Sequence, residues 1–339
     1  MYESLDGITT LDLAITSVCN AHCPDCARWW WTDQLTQHAN PRDHHRNTHW
    51  PWRELCDHIS VLPNIQRVLI VGNSGDPLTH PHVADIVDEC HHQWPTAELH
   101  IDTNGSVGTA ATWQRLAQCE DLTVTFSVDG LADTNSIYRQ GVPWHRVVHN
   151  IQQFHQWGGR GEIKTIDWSW NLDQRDQIRD WAHDLGWSWV LTHKWLAETD
   201  DFLTEHTNLS KPTPWPHTLS DQPSWHLTEW QHTVQQWVAQ GRPMTPECKQ
   251  DGDWLYINHD HRVWPCCYWA QAHYLQDYDS HQHRLLGHTQ THTWNSLDHH
   301  SLTDIIQDHR LSQLEQLWQG SHSDDASCVC IRQCGRCVQ

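Results

Sequence analysis

The chain has 339 residues, with 42 Asp and Glu against 21 Lys and Arg, so its formal net charge is −21 with histidine neutral. This balance argues against an extended basic surface of the kind that binds nucleic-acid backbone. No apolar run approaches the roughly 18 residues needed to span a bilayer, and residues 1–17 lack the regions of a signal peptide. We expect a cytoplasmic protein without direct nucleic-acid or membrane binding. Its 13 cysteines indicate a reducing compartment in which cysteines serve as metal ligands.

Strand and helix patterns alternate from residue 11 to about residue 194. Short β-rich runs are separated by longer stretches with helical periodicity, an order that implies parallel strands joined by right-handed crossovers. Six such units predict a partial (β/α)6 TIM-like barrel of the α/β class, with its chemistry at the carboxyl ends of the strands. The predicted strands are residues 11–16, 67–72, 97–103, 122–128, 162–168 and 188–193, and the main helices are 81–94, 109–119, 144–158 and 173–186.

The amino-acid composition changes after the last of these strand–helix units. Residues 200–226 are rich in Pro, Ser and Thr and predict a linker over the barrel mouth, followed by a helix at 227–241. A strand pair within 253–267 and a helix over 301–318 then accompany most of the remaining cysteines. We therefore divide the chain into a barrel (1–199), a linker with a helix (200–244) and a small Cys-rich α+β extension (245–339).

Three cysteines follow the first predicted strand directly. Cys19, Cys23 and Cys26 have the spacing C-x3-C-x2-C. Three thiolates can hold three irons of a cubane [4Fe–4S] cluster and leave the fourth iron open, whereas ordinary electron-transfer clusters close all four corners. The alternatives are a zinc site completed by His22 or a distant residue, and disulfide bonding in a secreted protein.

The cysteine pattern resembles the signature of the radical S-adenosylmethionine (radical SAM) superfamily. The resemblance implies that the open iron chelates the amino and carboxylate groups of SAM. An electron from the cluster, supplied by a reductase such as flavodoxin or ferredoxin, then cleaves SAM to a 5′-deoxyadenosyl radical. The family commonly has an aromatic residue before the third cysteine, and Asp25 stands there instead.

A glycine-containing segment after the second strand resembles the family's Gly-Gly-Glu motif, whose backbone typically holds the SAM amino group. Glycines allow a ligand to approach the backbone closely. The segment departs from the simple motif, so we assign the role mainly to its backbone. A plain turn between strand and helix is the alternative reading. The residues of this segment are Gly72, Asn73, Ser74, Gly75 and Asp76.

Further candidates for SAM binding lie at the ends of later strands. Asn104 ends the third strand, and Ser127 resembles the residue that binds the SAM ribose or carboxylate, with Asp129 close by. Arg139 resembles an arginine that pairs with the SAM carboxylate in peptide-modifying relatives; a surface arginine is the alternative. Trp168 could stack on adenine, as could Trp170, although core packing explains a tryptophan there equally well.

The C-terminal cysteines resemble the twitch and SPASM domains of the same superfamily. The segment from Cys248 to Cys266 matches the opening of such domains, with His261 in the position of a turn glycine. One auxiliary [4Fe–4S] cluster, held by Cys248, Cys266, Cys330 and Cys334 with Cys328 or Cys337 as substitutes, fits better than two. Four thiolates alone do not distinguish such a cluster from zinc.

The resemblance implies an enzyme that cleaves SAM reductively and abstracts hydrogen from a substrate C–H bond. We expect the substrate to be a peptide or protein side chain that is oxidised, cross-linked or rearranged. The alternative is a small molecule or modified nucleotide, since a fold does not select a substrate. A non-enzymatic iron–sulfur electron carrier is the remaining hypothesis.

Overall fold

The computed structural model describes residues 4–24, 26, 48–193, 249, 253–274 and 293–311. All six predicted barrel strands are present within two or three residues of their expected bounds. The predicted pair in the C-terminal segment is present as well. The linker at 200–226 and the helix at 227–241 lie outside the described residues. The strands are β1 Ile8–Leu13, β2 Arg67–Ile70, β3 Glu98–Thr103, β4 Leu122–Ser127, β5 Arg160–Asp167, β6 Ser188–His193, β7 Asp253–Ile257 and β8 Val263–Trp264.

These strands form one sheet in the order β6-β5-β4-β3-β2-β1-β7-β8. Every neighbouring pair is parallel except β7 and β8, which are antiparallel. In the part of the chain that is described, the first and last strands of this order do not pair, so the sheet is unclosed. The expected partial parallel barrel is therefore confirmed, and β7 extends it beyond β1 as a further parallel strand.

Helices connect the parallel strands as the alternating pattern predicts. The helix predicted over 301–318 is not continuous in its described part, and residues 312–318 lie outside the described residues. It stops at Ile306, and a new helical turn starts at residue 309. Asp308 interrupts it, because its carboxylate accepts the backbone N–H of Arg310 at 2.8 Å and so caps the second turn. The helices are α1 Trp52–Ile59, α2 Val83–Gln93, α3 Ala110–Ala117, α4 Asn135–Tyr138, α5 Trp144–Gln156, α6 Arg175–Asp184, α7 Cys267–Tyr274 and α8 Leu302–Ile306.

The sheet buries its apolar side chains against these helices. Phe126 of β4 is the centre of an aromatic cluster, with ring centroids 5.4 Å from Trp113, 5.9 Å from Phe154 and 5.6 Å from Trp187. Each large side chain buried in this way stabilises the fold by roughly 1.5–3 kcal/mol. Gly161 of β5 is required here, because a Cβ at this position would lie 2.5 Å from the Trp187 ring. Large aromatic rings thus fill this side of the core, and the opposite face of the sheet is left for other groups.

None of the described helices is both long and apolar enough to cross a membrane.

A buried histidine holds the segment before α1 against the segment before α2. His80 is 2 % exposed. One ring nitrogen, Nε2, is 2.8 Å from the carbonyl of Trp50, and the other, Nδ1, accepts the backbone N–H of His82 at 3.0 Å. This arrangement uses the neutral ring, with the proton on Nε2. Burial lowers the pKa of His80 from its usual 6.5 to about 4.

We expect acidification to destabilise the protein through His80. The unfolded chain binds a proton at a pKa of about 6.5, and the folded chain binds it only near pH 4. The stability that neutral His80 contributes is therefore present above pH 6.5 and is lost as the pH falls through this window, by up to about 3 kcal/mol. His80→Gln should remove this part of the pH dependence. Urea unfolding of both proteins at pH 7.5 and pH 5 measures the difference.

The matched control is His92→Gln, which makes the same substitution at an exposed position of α2. Comparing variants also removes the contribution of Asp12 and Asp76, whose carboxyl pKa values are raised by burial and which titrate in the opposite sense. An identical pH dependence for wild type and His80→Gln would contradict the assignment.

Candidate active site

The cysteine loop leaves β1 at its carboxyl end. Cys23 is buried, and Cys19 and Cys26 are half-buried. Backbone contacts shape the loop: the N–H of Cys26 donates to the carbonyl of Cys23 at 3.2 Å, and that of His22 donates to the carbonyl of Gln140 at 2.7 Å. The second contact ties the loop to the segment that follows α4. The loop is thus fixed at both the strand end and the neighbouring helical segment.

The electrostatics of the loop disfavour an uncompensated thiolate. Burial raises the pKa of the Cys23 thiol to about 12; Arg139 acts in the opposite direction, and Cys26 and Cys19 add to the rise. The guanidinium Nη1 of Arg139 is 4.0 Å from the Cys23 sulfur. The three sulfurs therefore interact through their charge. A positively charged metal group would relieve the repulsion between their thiolates.

The distances between cysteine sulfurs differ between a zinc site and an iron–sulfur cluster. In a tetrahedral zinc site with a Zn–S bond of about 2.3 Å, the sulfurs are about 3.8 Å apart. Among the described residues, a set of three potential ligands within 4.8 Å of one another is formed by Glu54, His261 and Asp298, and the three cysteines form no such set. Thiolates that bind different irons of one cube stand further apart than those sharing one ion. The three cysteines, as placed among the described residues, do not form a ready-made three-thiolate zinc site.

The glycine-containing segment packs directly against the cysteine loop. The backbone N–H of Asp76 donates to the carbonyl of Val18 at 2.8 Å. A Cβ at Gly75 would lie 2.5 Å from that same carbonyl oxygen, and a Cβ at Gly72 would lie 2.4 Å from the Gly75 carbonyl oxygen. Neither position can carry a side chain without a shift of backbone. The two predicted features are therefore adjacent at the carboxyl ends of β1 and β2.

Within this segment, the side chains of the three non-glycine residues behave differently. The Asp76 carboxylate accepts from the N–H of Leu78 at 3.0 Å, the N–H of Asn104 at 2.8 Å and the Thr103 hydroxyl at 2.9 Å, so protein donors occupy it. The Ser74 hydroxyl donates to Asn258 at 3.2 Å. The Asn73 amide nitrogen, in contrast, is buried and has no hydrogen-bond partner among the described residues. The segment thus offers one unused donor.

The predicted residues at the ends of β3 and β4 also lie around the cysteine loop. The amide of Asn104 donates to the side-chain oxygen of Asn20 at 2.9 Å, which links the end of β3 to that loop. Ser127, the last residue of β4, is 8 % exposed, and its hydroxyl makes no hydrogen bond to another described residue. Asn135 of α4 carries a second buried amide nitrogen that has no hydrogen-bond partner in the described part of the chain.

Asp129 and Arg139 form a buried ion pair at the same edge of the sheet. The Arg139 Nε donates to the Asp129 carboxylate at 2.6 Å, and the side chains are 16 % and 0 % exposed. The other carboxylate oxygen accepts the backbone N–H of Ile166 at 2.7 Å. Burial opposes a charge on Arg139, yet Asp129 keeps the pKa of the guanidinium above its usual value. A permanent positive charge is therefore fixed next to Cys23.

Trp168 lies in the core at the end of β5. It is 1 % exposed, stacks on Trp170 with ring centroids 4.7 Å apart and lies 4.8 Å from the ring of Tyr138. These contacts account for Trp168 as a packing residue. The indole N–H of Trp170 is buried, and no described residue accepts a hydrogen bond from it.

Of the four predicted ligands of an auxiliary cluster, the structure describes Cys266. It is half-buried and lies directly before α7. Cys248, Cys330 and Cys334, together with the substitutes Cys328 and Cys337, lie outside the described residues.

His261 adopts the backbone conformation expected at the glycine position of the C-terminal motif. Its φ is +61°, in the left-handed region, where a residue with a Cβ is disfavoured by roughly 1 kcal/mol. The side chain offsets this cost: its ring stacks on Trp50 with centroids 4.0 Å apart, and Nδ1 is 2.7 Å from an oxygen of Asp298. The turn between β7 and β8 is thereby held against the segment that precedes α1.

The inner face of the sheet, opposite the helix-packed aromatic cluster, carries polar side chains that the sequence analysis missed. A charged group is formed by Asp102, which contacts Lys164 and lies 2.9 Å from His100 Nε2. The Thr125 hydroxyl lies 3.0 Å from His100 Nε2 and 3.1 Å from a carboxylate oxygen of Glu162. The signal is readable in the strand sequences, since polar and apolar residues alternate in ELHIDT, LTVTFS and EIKTID, whereas fully buried parallel strands are apolar throughout.

Comparisons with known proteins show the fold. No family model matches the chain, and no curated protein matches it. Streptococcus suis SuiB is similar in structure: with its precursor peptide SuiA bound, it is 14 % identical, with a TM-score of 0.54 over 94 % of this chain and 67 % of SuiB. The structure of SuiB alone is 13 % identical in sequence, with a TM-score of 0.55 over 89 % of this chain and 66 % of SuiB. The structure of SuiB bound to S-adenosylmethionine is 13 % identical, with a TM-score of 0.51 over 78 % of this chain and 61 % of SuiB.

The chain therefore spans about two thirds of the length of SuiB or slightly less. The fold agrees with the one that the radical SAM resemblance implies, and it is shared with a protein that binds S-adenosylmethionine.

Proposed function

We propose that this chain is a radical SAM enzyme, in which Cys19, Cys23 and Cys26 hold a [4Fe–4S] cluster with one open iron. The observation that carries the proposal is the contact between the cysteine loop and the Gly72–Gly75 turn at the carboxyl ends of β1 and β2. Chemistry is located at this edge of parallel barrels. When bound, the cluster supplies the electron that cleaves SAM to a 5′-deoxyadenosyl radical, which abstracts hydrogen from the substrate.

The residues around the loop fit SAM as a ligand. We assign the SAM amino group to the backbone of the Gly72–Gly75 turn. The buried, unpartnered amide nitrogen of Asn73 provides a further donor. Polar atoms buried without partners are rare in folded proteins, and a missing ligand is one explanation for them.

The remaining assignments concern the ends of β3, β4 and β5. We assign the SAM carboxylate to Arg139, whose guanidinium Nη1 lies 4.0 Å from the Cys23 sulfur. We assign a further SAM contact to the Ser127 hydroxyl, which makes no hydrogen bond to another described residue. Asn104 and Asp129 act by holding neighbouring groups in place, given the contacts of their side chains. Trp168 is buried in the core, and we assign it to packing next to the SAM adenine.

We assign the substrate to the class of peptide or protein side chains. The support is the fold shared with SuiB in complex with its precursor peptide SuiA, a likeness that covers 94 % of this chain. The polar inner face of the sheet adds to it, because it provides charged and hydroxyl groups that can bind a polar substrate. A small-molecule or nucleotide substrate and a pure electron carrier are the competing outcomes of the experiments below.

The proposal also includes one auxiliary [4Fe–4S] cluster held by Cys248, Cys266, Cys330 and Cys334, in a twitch-like extension over 245–339. Four cysteine ligands close such a cluster, which suits it to accept an electron from a substrate radical. A cytoplasmic flavodoxin or ferredoxin is the proposed reductase.

Anaerobic incubation tests the function directly. Reconstituted protein mixed with SAM and dithionite should form 5′-deoxyadenosine, detected by liquid chromatography and mass spectrometry. A protein that only carries electrons would bind iron and leave SAM intact. Absence of 5′-deoxyadenosine from protein that has bound both iron and SAM would reject the enzymatic proposal.

A further inference from the structure

One carboxylate on the inner face of the sheet has no partner. Asp12 of β1 is 5 % exposed, and it makes no hydrogen bond or ion pair with another described residue. Its Oδ1 atom is buried completely. Buried carboxylates are nearly always hydrogen-bonded or paired with a cation, so Asp12 is an exception that needs a physical explanation.

The neighbours of Asp12 are themselves satisfied. In the sheet register Asp12 is opposite Leu69 on one side and Tyr256 on the other. The Tyr256 hydroxyl donates to Asn258 at 2.9 Å. Asp102, the charged group that acts on Asp12 electrostatically, is held by Lys164 and His100. None of these groups supplies a positive charge to Asp12.

The other acids of the inner face have hydrogen-bond or ion-pair partners. Lys164 contacts Asp102, and the Glu162 carboxylate accepts from the hydroxyls of Thr125 and Ser188. Asp12 is the acid of this face that remains unpaired among the described residues. Burial, with the nearby Asp102 adding to it, raises the pKa of Asp12 well above its usual value. A bound cation would offset this cost, and costs of this kind are expected at functional sites.

The geometry favours an organic cation over a metal ion. A metal ion is usually held by three or more protein ligands. In the described ranges, Asp12 does not belong to a set of three potential ligands within 4.8 Å of one another. A substrate ammonium or guanidinium group needs only the single carboxylate and is then held by a charge-assisted hydrogen bond.

We propose that Asp12 binds a positively charged nitrogen of the substrate, the ammonium or guanidinium group of a lysine or arginine side chain. This inference rests on the proposed function as an enzyme that modifies peptides, and it narrows the substrate to peptides with a basic residue at the inner face of the sheet.

Calorimetry on cluster-loaded, SAM-bound protein under anaerobic conditions tests the proposal. The probes are the amides of Nα-acetyl-lysine and Nα-acetyl-arginine, with Nα-acetyl-norleucine amide as a neutral probe of similar length. Wild type should bind a cationic probe, and Asp12→Asn should weaken that binding about tenfold to a hundredfold, the usual value of one charged hydrogen bond. Binding of the norleucine probe should be the same in both proteins. The lysine and arginine arms distinguish the two sources of the cation.

Asp57→Asn is the matched control, because it makes the same chemical change on the exposed side of α1. Urea unfolding without probe gives a second readout: Asp12→Asn should unfold at a higher urea concentration than wild type at pH 7. Equal affinity of wild type and Asp12→Asn for the cationic probes would overturn the proposal, as would failure of wild type to bind either of them. Formation of 5′-deoxyadenosine is measured separately, so loss of this inference leaves the proposed enzyme class intact.

Discussion

Replacing Cys19, Cys23 and Cys26 together with Ala should abolish 5′-deoxyadenosine formation and remove about half of the bound iron. Wild type with two cubane clusters should carry about eight irons per chain, and the variant about four. The loop that carries these cysteines is built from its own backbone contacts and the adjacent Gly72–Gly75 turn, so its loss should leave the C-terminal cysteines able to bind iron. Iron analysis and Mössbauer spectroscopy of anaerobically reconstituted protein measure both quantities.

A single change elsewhere controls for the removal of thiols. Cys119 is a half-buried free thiol, and Cys119→Ala should change neither the iron content nor the rate of SAM cleavage. If wild type holds only about four irons, the auxiliary cluster is rejected. Stoichiometric zinc would reject the identity of the metal group, and SAM cleavage by the triple variant would reject the assignment of the cysteine loop.

The parallel sheet could be predicted from local sequence because each strand is a short β-rich run between helical stretches. The position of β7 could not. Its pairing with β1 joins Leu11 to Leu255, more than 200 residues away, and no local propensity specifies such a pairing. The residues of the predicted strand pair β7–β8 were right, but the pairing of β7 with β1 was not predicted. Similarly, the break at Asp308 depends on one side chain that caps the following turn.

Some features of the candidate site could likewise be predicted from local sequence, and others could not. Cysteine spacing and glycine placement are local patterns, and the structure brings both to one edge of the sheet. The left-handed φ of His261 also agrees with its position in the motif. The uses of particular side chains depend on tertiary contacts: the Asp76 carboxylate is occupied by three protein donors, and Trp168 is packed in the core. The polar inner face was visible in the alternation of three strands but was not interpreted.

Changing Arg139 to Ala should destabilise the protein and weaken SAM binding. Removal of the guanidinium leaves Asp129 fully buried without its cation, a change that typically costs about 3–5 kcal/mol of unfolding free energy. If Arg139 also pairs with the SAM carboxylate, its loss should cost about 1.5–3 kcal/mol of binding free energy as well. Urea unfolding and calorimetric titration with SAM measure the two effects on the same preparations. The exposed Arg115, which pairs with Asp85 and Asp88, is the control: Arg115→Ala should cost at most about 1 kcal/mol of stability and leave SAM binding unchanged.

The double variant Arg139→Ala, Asp129→Asn separates a direct role from a structural one. Removing both charges eliminates the uncompensated carboxylate, so the double variant should be more stable than Arg139→Ala alone. It also removes any repulsion between Asp129 and the SAM carboxylate. If Arg139 contacts SAM, affinity stays low in the double variant although stability recovers. Recovery of both quantities would show that Arg139 serves only to neutralise Asp129, and the SAM carboxylate would then need another cationic partner.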